Sequence, residues 1–409
     1  MSTELLTAKG LRAMRNALAA PVSEPYGSAR SEVLNAAGFS AAQSEISSWP
    51  GYAPTPLRCL PGLAARHGVA AVHYKDEGER FGLKSFKALG GAYAVYRLLA
   101  QIIARRTDIP LPVAAAVLSG RWRKITSDIT VTCATDGNHG RSVAWGAQLF
   151  GCRCVIFIHS MVSEGRRAAI AKYGAQVIRV SGNYDDSVRH ADAQARAKGW
   201  TVVSDTTYEG YRQIPIDVMH GYGVMSREIV GLLGDDSPTH VFVQAGVGAL
   251  AASVSAAFWL AWGERRPRVV VVEPTNAACH LESARAGRAV AITGALDTIQ
   301  AGLACGEVSP AAWEIVSGAA DCFVAIDDRY ALEAVRALAN PVGGDRAIVS
   351  GETGATGLGV LFAARDLPAL RELIQLDARS RVVLLGSEGD TDPEIYRQIT
   401  GRSAAQVRA

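Results

Sequence analysis

Short apolar, β-branched runs alternate with alanine-rich helical stretches along most of this chain, and no other feature limits its fold so strongly. Strand candidates lie at 69–74, 129–133, 154–158, 176–180, 201–204, 240–244, 268–272 and 381–385. Most lead through a polar or glycine-containing turn into a helical stretch, as at 140–150 and 164–173. Strand followed by helix, repeated, is the pattern of parallel sheets with helices on both faces, an α/β fold. The first 50 residues are polar and read as irregular. A length of 409 residues, 49% of them apolar, fills more than one core. No low-complexity linker divides the chain. The pattern therefore predicts a large domain from 1–89 and 207–409, with a smaller domain, 90–206, inserted in it.

Charge excludes several classes of partner. The 42 basic and 39 acidic residues nearly balance, and no run of five like charges occurs, so nothing marks a nucleic-acid or anionic-membrane surface. The densest basic cluster, Arg121-Trp122-Arg123-Lys124, reads as a solvated loop. Seven cysteines, an odd number without paired CxxC spacing, make neither a disulfide framework nor a zinc site, and no metal is expected. Whether Cys279 and Cys305 meet is left open. The opening Met1-Ser2-Thr3-Glu4 lacks the basic start and apolar core of a secretory signal, so a cytoplasmic location is expected. The longest uncharged run, 241–263, is broken by Gly246 and Gly248 and reads as strand, turn and buried helix rather than a membrane span.

Within that frame the segment Phe81-Gly82-Leu83-Lys84-Ser85-Phe86-Lys87-Ala88-Leu89-Gly90-Gly91 sets lysines in a small, apolar run that becomes a helix. Lys84 and Lys87, three apart, offer one helical face. Lys87, with Phe86, Ala88 and Leu89 around it, is the better candidate for a desolvated, partly deprotonated amine able to form a Schiff base. The turn Gly246-Val247-Gly248-Ala249-Leu250 follows a buried strand and opens a helix, which offers free amides to a phosphate. It lacks the third glycine of the dinucleotide fingerprint, and the next strand ends in Glu273, so nucleotide binding stands beside it as a rival. Simple close packing of helix on strand is the plain alternative.

Further polar loops follow strand ends, where ligands of α/β sheets collect. Thr135-Asp136-Gly137-Asn138-His139-Gly140 supplies a carboxylate, an amide and two glycines, or a turn that caps the next helix. Asp205 ends another strand and is either a functional carboxylate or a cap. Ser387-Glu388-Gly389-Asp390 follows the last strand, and Ser350-Gly351-Glu352-Thr353-Gly354 precedes it.

The order of Thr55-Pro56-Leu57, Ser85-Phe86-Lys87, Gly137 to Gly140, Gly246 to Ala249 and Ser387 to Asp390 resembles the fold-type II pyridoxal-phosphate enzymes, the group of tryptophan synthase β, threonine dehydratase and cysteine synthase, over about 50–395. More narrowly, Arg80-Phe81-Gly82-Leu83, Ala134 to Arg141, Asp205-Thr206 with Glu209-Gly210-Tyr211, Ala301 to Glu307 and Glu388 to Asp392 are similar to the diaminopropionate ammonia-lyase family. The resemblance implies that Lys87 holds pyridoxal 5'-phosphate as a Schiff base and that Asn138 bonds the ring 3-oxygen. It implies that Gly246, Val247, Gly248, Ala249 and Leu250 bind the phosphate through amides, and that Ser387 faces the pyridine nitrogen. The implied activity is α,β-elimination of D- and L-2,3-diaminopropionate to pyruvate and two ammonia, a carbon-nitrogen lyase reaction. Lys87 is then the α-proton base for the L-isomer and Asp205 for the D-isomer. Asp136 stands where the dehydratase branch carries a small neutral residue. A carboxylate ~4 Å from a β-ammonium is worth several kcal/mol at an intermediate dielectric, and a β-hydroxyl gains much less. The rivals are a serine/threonine dehydratase or β-replacing synthase of the same fold, and a non-catalytic nucleotide- or cofactor-binding regulator. A homodimer acting on a small amino acid, with no nucleic-acid or membrane partner, completes the expectation.

Overall fold

In a computed structural model the structure describes residues 4–135, 137–182 and 184–409. By contacts the chain forms two compact units. One takes in the chain up to Ala36, Pro54–Glu79 and Met225–Ala409; the other takes in Ala37–Ala53 and Arg80–Val224.

The described strands are β1 (Leu6–Ala8), β2 (Leu11–Arg15), β3 (Leu57–Cys59), β4 (Ala71–Asp76), β5 (Thr130–Ala134), β6 (Arg153–His159), β7 (Gln176–Val180), β8 (Thr201–Val202), β9 (His240–Gln244), β10 (Arg268–Pro274), β11 (Cys322–Ile326) and β12 (Arg381–Gly386). The first unit holds the sheet β1-β2-β11-β10-β9-β12-β4-β3, and the second holds β7-β6-β5-β8. All pairs of the second sheet are parallel. In the larger sheet the row from β11 to β4 is parallel as expected, whereas β1/β2, β2/β11 and β3/β4 pair antiparallel at its edges.

Two readings of the sequence need correction. The first 50 residues are not irregular: they carry β1, β2 and the helices Ser28–Val33 and Ala36–Ser47. Their polar residues hid strands of three and five residues that need only one buried face at a sheet edge. Strand β11 was also passed over, although Cys322, Phe323, Val324, Ala325 and Ile326 are all buried beside β10.

The central strands explain why the pattern was legible elsewhere. Val241, Phe242 and Val243 of β9 lie fully inside, as do Val270, Val271 and Val272 of β10. Burial on both faces demands continuous apolar runs, and each such residue contributes roughly 1.5–3 kcal/mol relative to exposure. The run at 241–263 is strand β9, a turn and the buried helix Ala249–Trp262. Among the described residues, no helix is long and apolar enough to cross a membrane.

The last residue of β12, Gly386, is glycine for a packing reason. A Cβ there would stand 2.2 Å from the Tyr74 ring. Gly386→Ala is expected to cost about 1–3 kcal/mol, read as a lower urea midpoint at unchanged slope.

Candidate active site

The Lys87 helix spans Lys87–Thr107, so Lys87 is its first residue. Lys84 precedes it at φ 56, in the left-handed region. The two lysines therefore do not share a helical face, and this corrects the spacing argument. Lys87 Nζ donates to Asp205 Oδ2 at 2.5 Å, just beyond β8. Asp205 is thus a paired carboxylate and not a turn cap.

The environment of Lys87 also differs from the expected one. Burial does oppose charge on both groups, but their attraction outweighs it: the lysine proton is held well above the ordinary range and the Asp205 carboxyl well below. The desolvated amine is therefore charged, because its neighbour is a carboxylate. The side chain of His139 completes the group. Its Nε2 lies 2.8 Å from the Val203 carbonyl and its Nδ1 3.8 Å from Asp205 Oδ2. Burial pushes His139 below its usual value, so the neutral ring donates from Nε2 and leaves Nδ1 bare toward the carboxylate.

A pH dependence follows. The raised lysine contributes stability that is complete below its unfolded value of about 10.4 and lost as pH rises through the folded value. The depressed aspartate contributes stability present above about 3.9 and lost as pH falls through the folded value. Asp205→Asn in cofactor-free protein is expected to cost about 1–3 kcal/mol near pH 7, with the difference from wild type shrinking below pH ~4. Urea titrations at a series of pH values read it directly.

Asn138 opens the helix Asn138–Phe150, and its Oδ1 accepts from Arg141 at 2.8 Å. Asp136 lies outside the described residues. The turn before this helix is tied by Thr135, whose Oγ1 accepts from the amides of Gly137 and Gly140, each at 3.0 Å. Ser142, one turn on, donates to the Lys87 carbonyl at 2.6 Å and accepts from the Ala92 amide at 3.1 Å. A Cβ on Gly91 would lie 2.5 Å from that hydroxyl, so Gly91 admits the bond that anchors the start of the lysine helix.

In the other unit, β9 leads into Gly248 at φ 99 and then the helix Ala249–Trp262. The first turn of that helix leaves its amides without intrahelical acceptors, at the positive end of its dipole. The plain packing alternative also has support, since a Cβ on Gly248 would lie 2.5 Å from the His280 ring. The two roles are compatible: the glycine backbone is braced behind by His280 Nε2, 3.1 Å from the Gly246 carbonyl. Glu273 takes no part in a nucleotide site. It is fully buried and accepts from the amides of His280 and Leu281 at 2.7 and 2.9 Å, which seats the helix Cys279–Ala286. That removes the acidic residue the dinucleotide rival requires. Cys279 and Cys305 are both free thiols.

Ser387 is buried just past β12, where its Oγ accepts from Gln244 Nε2 at 2.7 Å and keeps its own proton to donate elsewhere. Glu388 serves the loop itself, accepting from the Thr353 amide at 3.2 Å and Thr391 Oγ1 at 3.1 Å.

Residues 48–388 match the family described as "Pyridoxal-phosphate dependent enzyme". The diaminopropionate ammonia-lyase of Salmonella typhimurium is 40% identical over 366 residues, covering 87% of this chain and 90% of its own. The Escherichia coli enzyme is likewise 40% identical, over 85% and 87%. The chain belongs to the diaminopropionate ammonia-lyase family of pyridoxal-phosphate enzymes. A crystal structure of the Escherichia coli family member in complex with D-serine matches with a TM-score of 0.86 at 35% identity, covering 98% of this chain and 99% of that one. Another, with an aminoacrylate-PLP azomethine intermediate, matches at 0.83 and 36%, covering 97% and 98%.

The residues of this family member fit pyridoxal phosphate. They include an amine at a helix start, a glycine turn whose helix-start amides suit an anion, and a buried hydroxyl with a proton to give. Sequence reasoning quoted His139 within a loop but gave it no role, and it assigned none to Ser142 or Gln244. Gln244 ends a recognised strand next to the glycine turn, which was the available signal.

Proposed function

We propose that this chain performs the α,β-elimination of 2,3-diaminopropionate, taking both the D- and the L-isomer, to pyruvate and two ammonia with one water consumed. The observation that carries the reading is the direct pairing of Lys87 with Asp205, an amine and a carboxylate able to exchange one proton. In this reading Lys87 holds the cofactor, Asn138 bonds its ring oxygen, the amides of Gly246, Val247, Gly248, Ala249 and Leu250 take its phosphate, and Ser387 donates to its pyridine nitrogen. Pyridoxal phosphate, when bound, supplies an electron sink that makes the α-proton of an amino acid acidic.

The protein's own groups then divide the proton work. The Lys87 amine, when free and neutral, accepts the α-proton of the L-isomer, and Asp205 accepts that of the D-isomer. One proton on the pair leaves one member basic at a time, which suits two substrates of opposite hand. To Asp136 the reading assigns the β-amine: its carboxylate attracts the β-ammonium of bound substrate and handles the proton of the leaving amine. The ring of His139, fixed by Val203, keeps a bare nitrogen toward Asp205 and so disfavours any turn of the carboxylate away from Lys87. The reading keeps the protein in the cytoplasm, where its free thiols persist, and makes it a homodimer, which light scattering tests.

The deciding experiment is pyruvate formation by cofactor-loaded protein from each isomer of diaminopropionate, with serine, threonine and added thiols alongside. Pyruvate from both isomers is the expected result. No pyruvate from either, with rapid turnover of serine or threonine, returns the chain to the dehydratase rival.

A further inference from the structure

A buried aromatic beside Lys87 has no part in the scheme above. Tyr222 lies on the helix Gln213–Leu233 and is fully buried. Its helix crosses the lysine helix at backbone contact: a Cβ on Gly221 would stand 2.5 Å from the Leu89 carbonyl, and one on Gly90 would stand 2.3 Å from the Tyr222 ring. Two glycines thus open the slot that the tyrosine fills. Phe86 closes its other side with ring centres 4.6 Å apart. The lysine Nζ stands 5.5 Å from the centre of each ring. The Tyr222 hydroxyl makes no well-aligned hydrogen bond among the described residues, yet it is close enough for it and Lys87 to alter each other's proton affinity.

An unsatisfied hydroxyl at the end of so constrained a ring is costly and calls for a partner. The groups that face the lysine amine are Asp205, Tyr222 and, behind the carboxylate, His139. From this geometry we infer that Tyr222 is a positioning residue for the Lys87 amine, accepting one of its N–H bonds during turnover and aiming its lone pair at the α-carbon. Asp205 alone is a poor holder for this purpose, because a carboxylate fixes the amine by keeping it protonated, and a protonated amine accepts nothing. A phenol, kept neutral by burial, fixes it in either state. The inference rests on the reading of Lys87 as the base toward the L-isomer.

The test is Tyr222→Phe, which keeps the ring in its slot and removes only the hydroxyl. In loaded enzyme, kcat with L-diaminopropionate is expected to fall on the order of 10- to 100-fold, with KM little changed and the ratio of L to D turnover down at least about tenfold. In cofactor-free protein, the pH at which uptake of pyridoxal phosphate reaches half its limiting rate is expected to move down by about one unit, because the ammonium loses an acceptor. Equal loss on both isomers, or no loss on either, together with an unmoved uptake profile, overturns the proposal. The uptake measurement uses no amino acid, so it decides the role of Tyr222 even if wild-type protein makes no pyruvate, a result that would sink the diaminopropionate reading instead.

Discussion

Lys87→Ala is expected to yield a protein that folds, binds pyridoxal phosphate without a covalent link and loses turnover of both diaminopropionate isomers by at least about 10³-fold. The loss should reach both isomers because two functions depend on one amine. In the proposed reading it holds the cofactor, and its charge keeps Asp205 ionised. Without the lysine, burial pushes the Asp205 carboxyl back up, so more of it is protonated and unable to accept the α-proton of the D-isomer. Gel filtration after reconstitution, followed by the visible spectrum and a pyruvate assay, separates the two functions. A variant that keeps the spectrum of a covalently held cofactor would move the attachment to another lysine. Lys84, outside the helix and in the left-handed region, would be the first to examine.

The second large effect is isomer-specific. Asp205→Asn should reduce turnover of D-diaminopropionate by on the order of 10² to 10⁴, the range for losing a positioned general base, while L-turnover stays within about tenfold. The amide can still accept from Lys87 but no longer holds its proton, so the amine becomes basic at lower pH. The pH profile for the L-isomer is accordingly expected to shift its acid limb downward even as D-activity disappears. Equal losses on both isomers would mean that the carboxylate serves the lysine and not the substrate, and the two-base reading would fail.

Much of this architecture was readable because parallel strands buried on both faces must be written as unbroken apolar runs. His240–Gln244, buried at every position, was delimited to the residue for that reason. Edge strands carry no such obligation, and β1, β2 and β3 were missed or left as loop. Candidates for the site stood out where a special backbone was needed, as in the glycine turn at 246–250, or where a charge sat at a strand end, as at Asp205. The partnership of Lys87 with Asp205 was not legible. Nothing local couples two residues on different elements, and so the lysine's neighbours suggested a neutral amine where the fold supplies a counter-ion. Glu273 shows the reverse case. Its position at a strand end suggested a ligand, and its carboxylate is instead consumed by two backbone amides.

The slot between the lysine helix and the helix Gln213–Leu233 has a consequence for how this sequence can change over time. Gly90 leaves room for one ring at one place, and any side chain there occupies the space of the Tyr222 edge. The two positions are therefore inherited as a unit. Relatives that acquire alanine at 90 should carry something smaller than tyrosine at 222, and in a double-mutant cycle the pair should depart from additivity, since the second substitution relieves the clash made by the first. A glycine that looks like mere helix weakness in the sequence is a record of an aromatic far along the chain.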